Sequence, residues 1–171
     1  MRIERRYAVL AGLIWLASSR AQAQTLTVEQ QYSIPEWVTT AMARSGLDKT
    51  LGFDARLNPF CHSGDFDGDG MTDFAVLVKE RASGKSGIAL IHRRTGRVYV
   101  VGAGRNLPNG GDDFEWMDTW GIFNKGKVDQ GATNERPPVL KGDALLVFKT
   151  GAASAILWWD GTAYRWYQQG D

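Results

Sequence analysis

The chain has 171 residues, of which 43% are hydrophobic, so its composition is typical of one modest domain with a real core. Its 20 lysines and arginines nearly balance 19 acidic residues, for a formal net charge of +1. There is therefore no basic excess of the kind that attracts nucleic acid or an anionic membrane.

The first 23 residues have the pattern of a secretory signal peptide. A basic start precedes an apolar stretch over residues 7–17. The small residues of Ala21-Gln22-Ala23 then predict cleavage before Gln24. The apolar stretch is shorter than the roughly 20 residues that span a bilayer, which argues against an uncleaved anchor. We therefore expect a periplasmic or secreted protein, with residues 24–171 as a single domain and no stable membrane insertion after cleavage.

Export would change the charge and limit the covalent chemistry. Loss of four arginines and one glutamate takes Lys+Arg from 20 to 16 and Asp+Glu from 19 to 18, so the net charge becomes about −2. Cys61 is the single cysteine, so no internal disulfide can stabilise the exported chain. We interpret Cys61 as a small buried hydrophobe, because no accompanying histidine and asparagine mark it as a nucleophile.

One N-terminal helix is predicted after a loosely held polar start over residues 24–32. Ser33 and Glu36 have the spacing of a capping box, and Pro35 is tolerated in a first helical turn. Apolar residues then recur at helical spacing, and Gly46 is expected at the C-terminal end. We expect this helix of about a dozen residues to lie across a sheet, with docking on a partner as the alternative.

The rest of the chain predicts strands. Six are expected, over residues 73–79, 88–92, 97–101, 143–149, 154–159 and 163–168. The continuous apolar run of the first is typical of a strand covered on both faces, and Asp160-Gly161 is a hairpin turn before the last. Residues 47–62, 102–111 and 124–138 are predicted to be connectors or loops. The expected fold class is mostly β or α+β, with antiparallel meander sheets and one N-terminal helix in a single domain.

The most distinctive stretch lies directly before the first predicted strand. Positions 1, 3, 5 and 9 of residues 65–73 are Asp65, Asp67, Asp69 and Asp73. Gly70 at position 6 permits the sharp turn that directs the four carboxylates to one centre. Four like charges this close repel one another unless a cation holds them, and hard oxygen ligands favour calcium. An EF-hand is excluded, because position 12 is Val76 rather than a bidentate glutamate.

The pattern Asp-x-Asp-x-Asp-Gly-x-x-Asp leading into a strand resembles the calcium loops of FG-GAP/VCBS-type repeats, the units of integrin α-chain propellers. The resemblance implies that the four aspartates and the main-chain carbonyl of Met71 surround Ca²⁺. It covers residues 64–76 and occurs once, so a closed propeller is not expected. The C-terminal end is also similar to that of small exported bacterial proteins with one such loop, which implies a fold but no activity.

The sequence predicts a non-catalytic function. The two histidines, His62 and His92, have no serine or cysteine partner evident in the sequence. A calcium ion would replace the missing disulfides as a source of stability. We therefore predict an exported calcium-stabilised binding protein, and its partner is expected to be another protein.

Two alternatives stay open. A carbohydrate or cell-wall-binding module would stack sugars on clustered aromatic residues, which are Trp158, Trp159, Tyr164, Trp166 and Tyr167. The possible interaction surface for a ligand is Trp116, Trp120 and Trp166. Core packing is the favoured interpretation of these aromatic residues. A hydrolase would use paired carboxylates among Asp112, Asp113, Glu115 and Asp118. Asp112 or Asp113 would alternatively join the calcium shell.

Overall fold

The computed structural model describes residues 26–170. Two short α-helices and a 3₁₀ turn come first: α1 (Val28–Tyr32), α2 (Glu36–Arg44) and the turn Leu47–Lys49. Nine strands follow: β1 (Leu51–Phe53), β2 (Cys61–Gly64), β3 (Asp73–Glu80), β4 (Ser86–Ile91), β5 (Val98–Gly102), β6 (Thr119–Phe123), β7 (Ala144–Lys149), β8 (Ala153–Trp159) and β9 (Tyr164–Gly170). The expected signal peptide and its cleavage site lie outside the described residues.

The strands form two antiparallel sheets. In the first sheet, β3 pairs with β4 on one side, and β5 extends the sheet beyond β4. On the other side of β3, β1 pairs with its end and β2 with its beginning. The second sheet is the simple meander β6-β7-β8-β9. The predicted fold class is confirmed: residues 26–170 form a mostly antiparallel β-structure with few helices and no closed propeller.

All six predicted strands are present, but the structure adds three. The expectation of an irregular connector over residues 47–62 is wrong, because it contains β1 and the start of β2. β6 was also missed. β1 has three residues, and β2 is Cys-His-Ser-Gly, so neither has a clear apolar alternation. They are strands because β3 offers both of them a ladder of backbone hydrogen bonds, which no local pattern reveals.

The N-terminal segment also differs from the prediction. Residues 28–32 form α1 rather than a loose start, and its capping box uses Thr27 and Gln30. Ser33 ends α1, so it does not cap the following helix, for which Pro35 is the N-cap. The reason is that a residue before proline avoids the helical region, which separates the two helices at Ile34. Gly46 follows α2 with φ of +73°, as expected of a glycine at a helix end.

One core joins α2 to both sheets. Val38, Ala41 and Met42 of α2 belong to the same buried cluster as the side chains of β3 and β4, so the helix lies against the first sheet as predicted. Residues 73–78 of β3 are buried without interruption, which confirms the prediction of a strand covered on both faces. Neither helix within residues 26–170 has the length and apolar character required to cross a bilayer.

Candidate metal centre

The acidic segment is the hairpin loop that joins β2 to β3. Gly64 and Asp73 are paired across the two strands, and residues 65–72 close the loop between them. Gly68 and Gly70 have φ of +78° and +85°, a region that glycine enters without steric cost. The loop therefore reverses the chain tightly at the edge of a rigid, buried strand.

The first three aspartates organise the loop through its backbone. The carboxylate of Asp65 accepts hydrogen bonds from the N–H groups of Gly68, Asp69 and Gly70 at 2.9–3.0 Å. Asp67 accepts from the N–H of Asp69 at 3.1 Å, and Asp69 accepts from that of Met71 at 2.8 Å. These contacts hold the side chains on the inner side of the turn.

Oxygens of three aspartates converge. One carboxylate oxygen from each of Asp65, Asp67 and Asp69 lies within 4.8 Å of the other two. Oxygens on opposite sides of a Ca²⁺ ion, each at about 2.3–2.6 Å, are separated by at most about 5 Å. Hard oxygen donors at this spacing fit a calcium ion, and these three residues would hold it.

Asp73 lies deeper than the other aspartates. It is fully buried, and its carboxylate accepts hydrogen bonds from the N–H groups of Phe66 at 3.1 Å, Asp67 at 3.2 Å and Arg93 at 2.7 Å. Burial raises its pKa to about 6. Asp73 groups with Asp67 and His92 rather than with Asp65 and Asp69. Its predicted place in the calcium shell, like that of the Met71 carbonyl, stays a prediction.

His92, the residue directly after β4, joins this group. Its side chain is buried, and Nδ1 lies 3.1 Å from a carboxylate oxygen of Asp67. Nε2 lies 2.8 Å from the hydroxyl of Tyr164 in the second sheet, and the ring packs against Tyr99 and Trp159. Burial lowers the pKa of His92.

Sequence reasoning considered His92 only as a possible catalytic group. Its place beside the loop follows from strand pairing, because Ile91 of β4 lies opposite Phe74 of β3. The residue after Ile91 therefore reaches the end of β3 where the acidic loop begins. A prediction that residues 74 and 91 pair in an antiparallel sheet would have placed His92 beside the acidic loop.

A cationic side chain already contacts the loop. Nε of Arg94 donates to a carboxylate oxygen of Asp69 at 2.5 Å, and its Nη2 donates to the main-chain carbonyl of Asp69 at 2.8 Å. The Arg94 hydrogen bond lowers the pKa of Asp69. A metal ion in the loop would share the Asp69 carboxylate with this guanidinium.

The loop is also attached to the second sheet. Asp65 exchanges two hydrogen bonds with Asp143, which precedes β7: its N–H donates to the Asp143 carboxylate at 3.0 Å, and its carbonyl accepts from the Asp143 N–H at 2.7 Å. A Cβ at Gly68 would lie 2.6 Å from the carbonyl oxygen of Lys141. The acidic loop therefore lies at the junction of the two sheets.

The other acidic candidates have partners outside the loop, and Asp113 and Glu115 lie together at Ser86. Asp112 pairs with Lys85, and Asp113 accepts from the N–H of Ser86. Glu115 accepts from the hydroxyl of Ser86 and pairs with Lys79, whereas Asp118 accepts from Thr150. Within residues 26–170, neither group of potential metal ligands contains Asp112 or Asp113.

The aromatic candidates lie largely in the core. Trp120 is 5% exposed and donates to the carbonyl of Pro59, and Trp166 is 9% exposed. Trp116 is half-buried and packs on Phe114 and Trp166. The core packing favoured by the sequence is therefore observed for Trp120 and Trp166, whose burial leaves little surface for a partner to contact.

Cys61 lies on β2 and packs against the core, but it is half-buried rather than fully buried as the sequence predicts. Burial raises the pKa of its thiol. Beside it, His62 packs edge-on against Trp120, and burial lowers the pKa of its ring. The geometry gives neither residue the environment of an activated nucleophile or base.

Comparisons of the chain with models of known families, with curated proteins and with solved structures find no match. The resemblance of the acidic loop to FG-GAP/VCBS-type repeats therefore stays a prediction that depends on residues 64–76.

Proposed function

We propose that this chain is an exported, calcium-stabilised, non-catalytic binding protein that recognises another protein. The observation that carries the proposal is the convergence of Asp65, Asp67 and Asp69 within 4.8 Å in a tight glycine-containing loop. Three carboxylates at this spacing repel one another, and a divalent cation removes that repulsion.

The position of the loop supports a structural role for the cation. The loop contacts the second sheet through Asp143 and, by way of His92, through Tyr164. A cation bound there would hold β3, β4 and the start of β7 in one arrangement. At a free calcium concentration 100 times the dissociation constant, binding would add about 2.7 kcal/mol to the free energy of unfolding.

The contacts of the ionisable groups support a non-catalytic function. His92 is buried with both ring nitrogens engaged, and each of the carboxylates in the 112–118 segment already has a cationic, hydroxyl or N–H partner. Four carboxylates and one carbonyl, as the loop pattern implies, would nearly fill a calcium coordination sphere. Little of the ion would then be open to a substrate.

A calcium titration tests the metal site. We expect isothermal titration calorimetry to give one site per chain, and the melting temperature to rise with added calcium. Asp67→Asn and Asp69→Asn should abolish both effects. Asp129→Asn is the matched control, because the Asp129 side chain is 86% exposed and its ion-pair partner Lys127 is exposed as well. A melting temperature that does not respond to calcium in the wild-type chain would contradict the proposal.

A second experiment tests export and partner binding. N-terminal sequencing of the protein from its native host should begin at Gln24, and the protein should fractionate outside the cytoplasm. Tagged protein should then capture a partner in calcium that is released by EGTA. Recovery of the chain in the cytoplasm with residues 1–23 attached would refute export.

A saccharide-binding module is the second candidate, and a cleft of about 350 Å³ favours it. The half-buried Trp158 lines this cleft, as do the exposed side chains of Asn109, Glu135 and Arg136. An aromatic face beside planar polar groups suits stacking and hydrogen bonding to a sugar ring. On a glycan array, Trp158→Ala should lose the glycan binding of the wild type, whereas the control variant Ile122→Ala should retain it. Equal binding by both variants would exclude this cleft.

A further inference from the structure

A broad groove of about 890 Å³ runs between α2 and the turn that connects β4 to β5. Its walls come from one face of α2 along its whole length and from residues 93–98. The groove lies next to the acidic loop, because Arg94 belongs to its wall and also contacts Asp69. None of its lining residues is a proposed calcium ligand.

The groove is strongly basic on a molecule that is nearly neutral as a whole. Four arginines line it, and Glu36 is its single acidic residue. The arginines are Arg44, Arg93, Arg94 and Arg97. The full sequence has a formal net charge of only +1, so this is a local concentration of positive charge.

Within residues 26–170, three of the four arginines have no anionic partner. Arg94 is paired with Asp69, and the guanidinium carbon of Arg93 lies 4.4 Å from the ring centre of Trp37. No carboxylate within residues 26–170 lies at ion-pair distance from Arg44 or Arg97, and both are exposed. Like charges held together on a surface favour an anionic ligand that separates them.

The groove also has a firm apolar floor. Trp37 of α2 packs edge-on against Phe74 of β3, with ring centres 6.3 Å apart, while Arg93 covers its other side. Thr40 and Ala41 continue the helical wall. A fixed aromatic residue beside the Arg93 guanidinium, in a groove lined by three more arginines, offers both contact area and charge to one ligand.

We propose that this groove binds an acidic polypeptide segment, with Arg44 and Arg97 as its principal carboxylate ligands. The inference rests on the proposed function and names the chemical class of its partner. A guanidinium group matches a carboxylate with two parallel hydrogen bonds, which suits glutamate and aspartate side chains. A protein partner is favoured over nucleic acid, because the chain as a whole lacks the basic excess of a nucleic-acid-binding protein.

Fluorescence anisotropy with a fluorescein-labelled oligoglutamate peptide tests the proposal on the full domain, in calcium and in EGTA. We expect the double variant Arg44→Gln/Arg97→Gln to bind the peptide at least about tenfold more weakly than wild type. The control is Arg81→Gln/Arg136→Gln, which removes the same charge from exposed positions outside the groove. It should bind like the wild type, and added salt should weaken both.

Equal affinity of the groove variant and the control would overturn the proposal, as would tighter groove-dependent binding of single-stranded DNA. Circular dichroism and melting curves show whether each variant is folded. The two proposals fail separately. If the chain binds calcium but Arg44→Gln/Arg97→Gln binds the peptide like the wild type, only the groove proposal is refuted. Conversely, arginine-dependent peptide binding without any calcium response refutes only the calcium-stabilised function.

Discussion

At the scale of single residues, the acidic loop differs from a simple cluster of charges because each carboxylate has a distinct environment. The Asp65 carboxylate accepts hydrogen bonds from loop N–H groups, Asp69 forms an ion pair with Arg94, and Asp73 is buried. These environments determine how strongly each carboxylate can attract a cation. Arg94 is exposed, so replacing it changes the charge beside Asp69 without creating a cavity in the core.

Removal of the Arg94 charge should strengthen calcium binding. In Arg94→Gln, the guanidinium no longer neutralises Asp69, so we expect the dissociation constant for calcium to fall by about five- to tenfold at low ionic strength. Calorimetric titration measures the change. Arg136→Gln, an exposed arginine outside the loop, should bind calcium like the wild type. An unchanged or weaker affinity in Arg94→Gln would show that the guanidinium does not compete with the ion.

The thiol of Cys61 should react slowly. Burial raises its pKa, so less thiolate is present at any given pH than in a free cysteine, whose pKa is about 8.5. We expect the rate of alkylation by iodoacetamide near pH 8 to be well below that of glutathione, and to increase as the pH rises further. Mass spectrometry follows the modification. A rate equal to that of glutathione would mean that the burial of Cys61 is lost in solution.

At the scale of elements, the hairpin loop between β2 and β3 is positioned by its neighbours. Gly142, which precedes β7, approaches so closely that a Cβ on it would lie 2.1 Å from the carbonyl oxygen of Asp65. A Cβ on Gly68 meets the backbone at Lys141 from the other side. Glycine is required at these two positions by the close approach of two backbones.

Substitution of Gly68 should therefore cost more than substitution of Gly70. Both have positive φ, which costs an alanine about 1–2 kcal/mol, but a Cβ at Gly70 meets nothing within 4 Å. For Gly68→Ala we expect an additional loss of about 1–3 kcal/mol in the free energy of unfolding, since the loop must move away from Lys141. Urea denaturation compares the two variants. Equal losses would show that the loop moves away from Lys141 at no cost in stability.

At the scale of the whole molecule, the two sheets are joined by polar contacts as well as by a shared core. The buried ring of His92 connects Asp67 in the acidic loop to Tyr164 at the start of β9. Elsewhere, Arg56 donates to the carbonyl groups of Phe114 and Met117, and it pairs with buried Asp54. Such buried contacts fix the relative position of the sheets, because a shift leaves polar groups unsatisfied.

Loss of one hydroxyl tests this connection. Tyr164→Phe leaves Nε2 of His92 buried without a partner, so we expect a loss of about 1–3 kcal/mol in the free energy of unfolding. Tyr99→Phe is the matched control, because Tyr99 packs on the same ring but its hydroxyl has no hydrogen-bond partner in the described part of the chain. Chemical denaturation of both variants gives the difference. Equal stability of the two would mean that the hydroxyl contributes nothing to the junction.

The sequence by itself determined the strong elements and the acidic loop. The long apolar run of β3, the turns on either side of β4 and the hairpin at Asp160 are local signals, and they were predicted within about two residues. The spacing of Asp65, Asp67 and Asp69 similarly depends only on neighbouring residues and on the turn at Gly70. Their convergence is therefore predictable from the sequence alone.

Only the tertiary structure decided what surrounds that loop. β1, β2 and β6 are strands because a neighbour offers them hydrogen bonds, and their own composition does not reveal this. His92, Asp143 and Tyr164 reach the loop through strand pairing and the packing of the two sheets. The basic groove likewise unites α2 with a distant turn. These contacts join residues far apart in the chain, so no local pattern of charge or hydrophobicity encodes them.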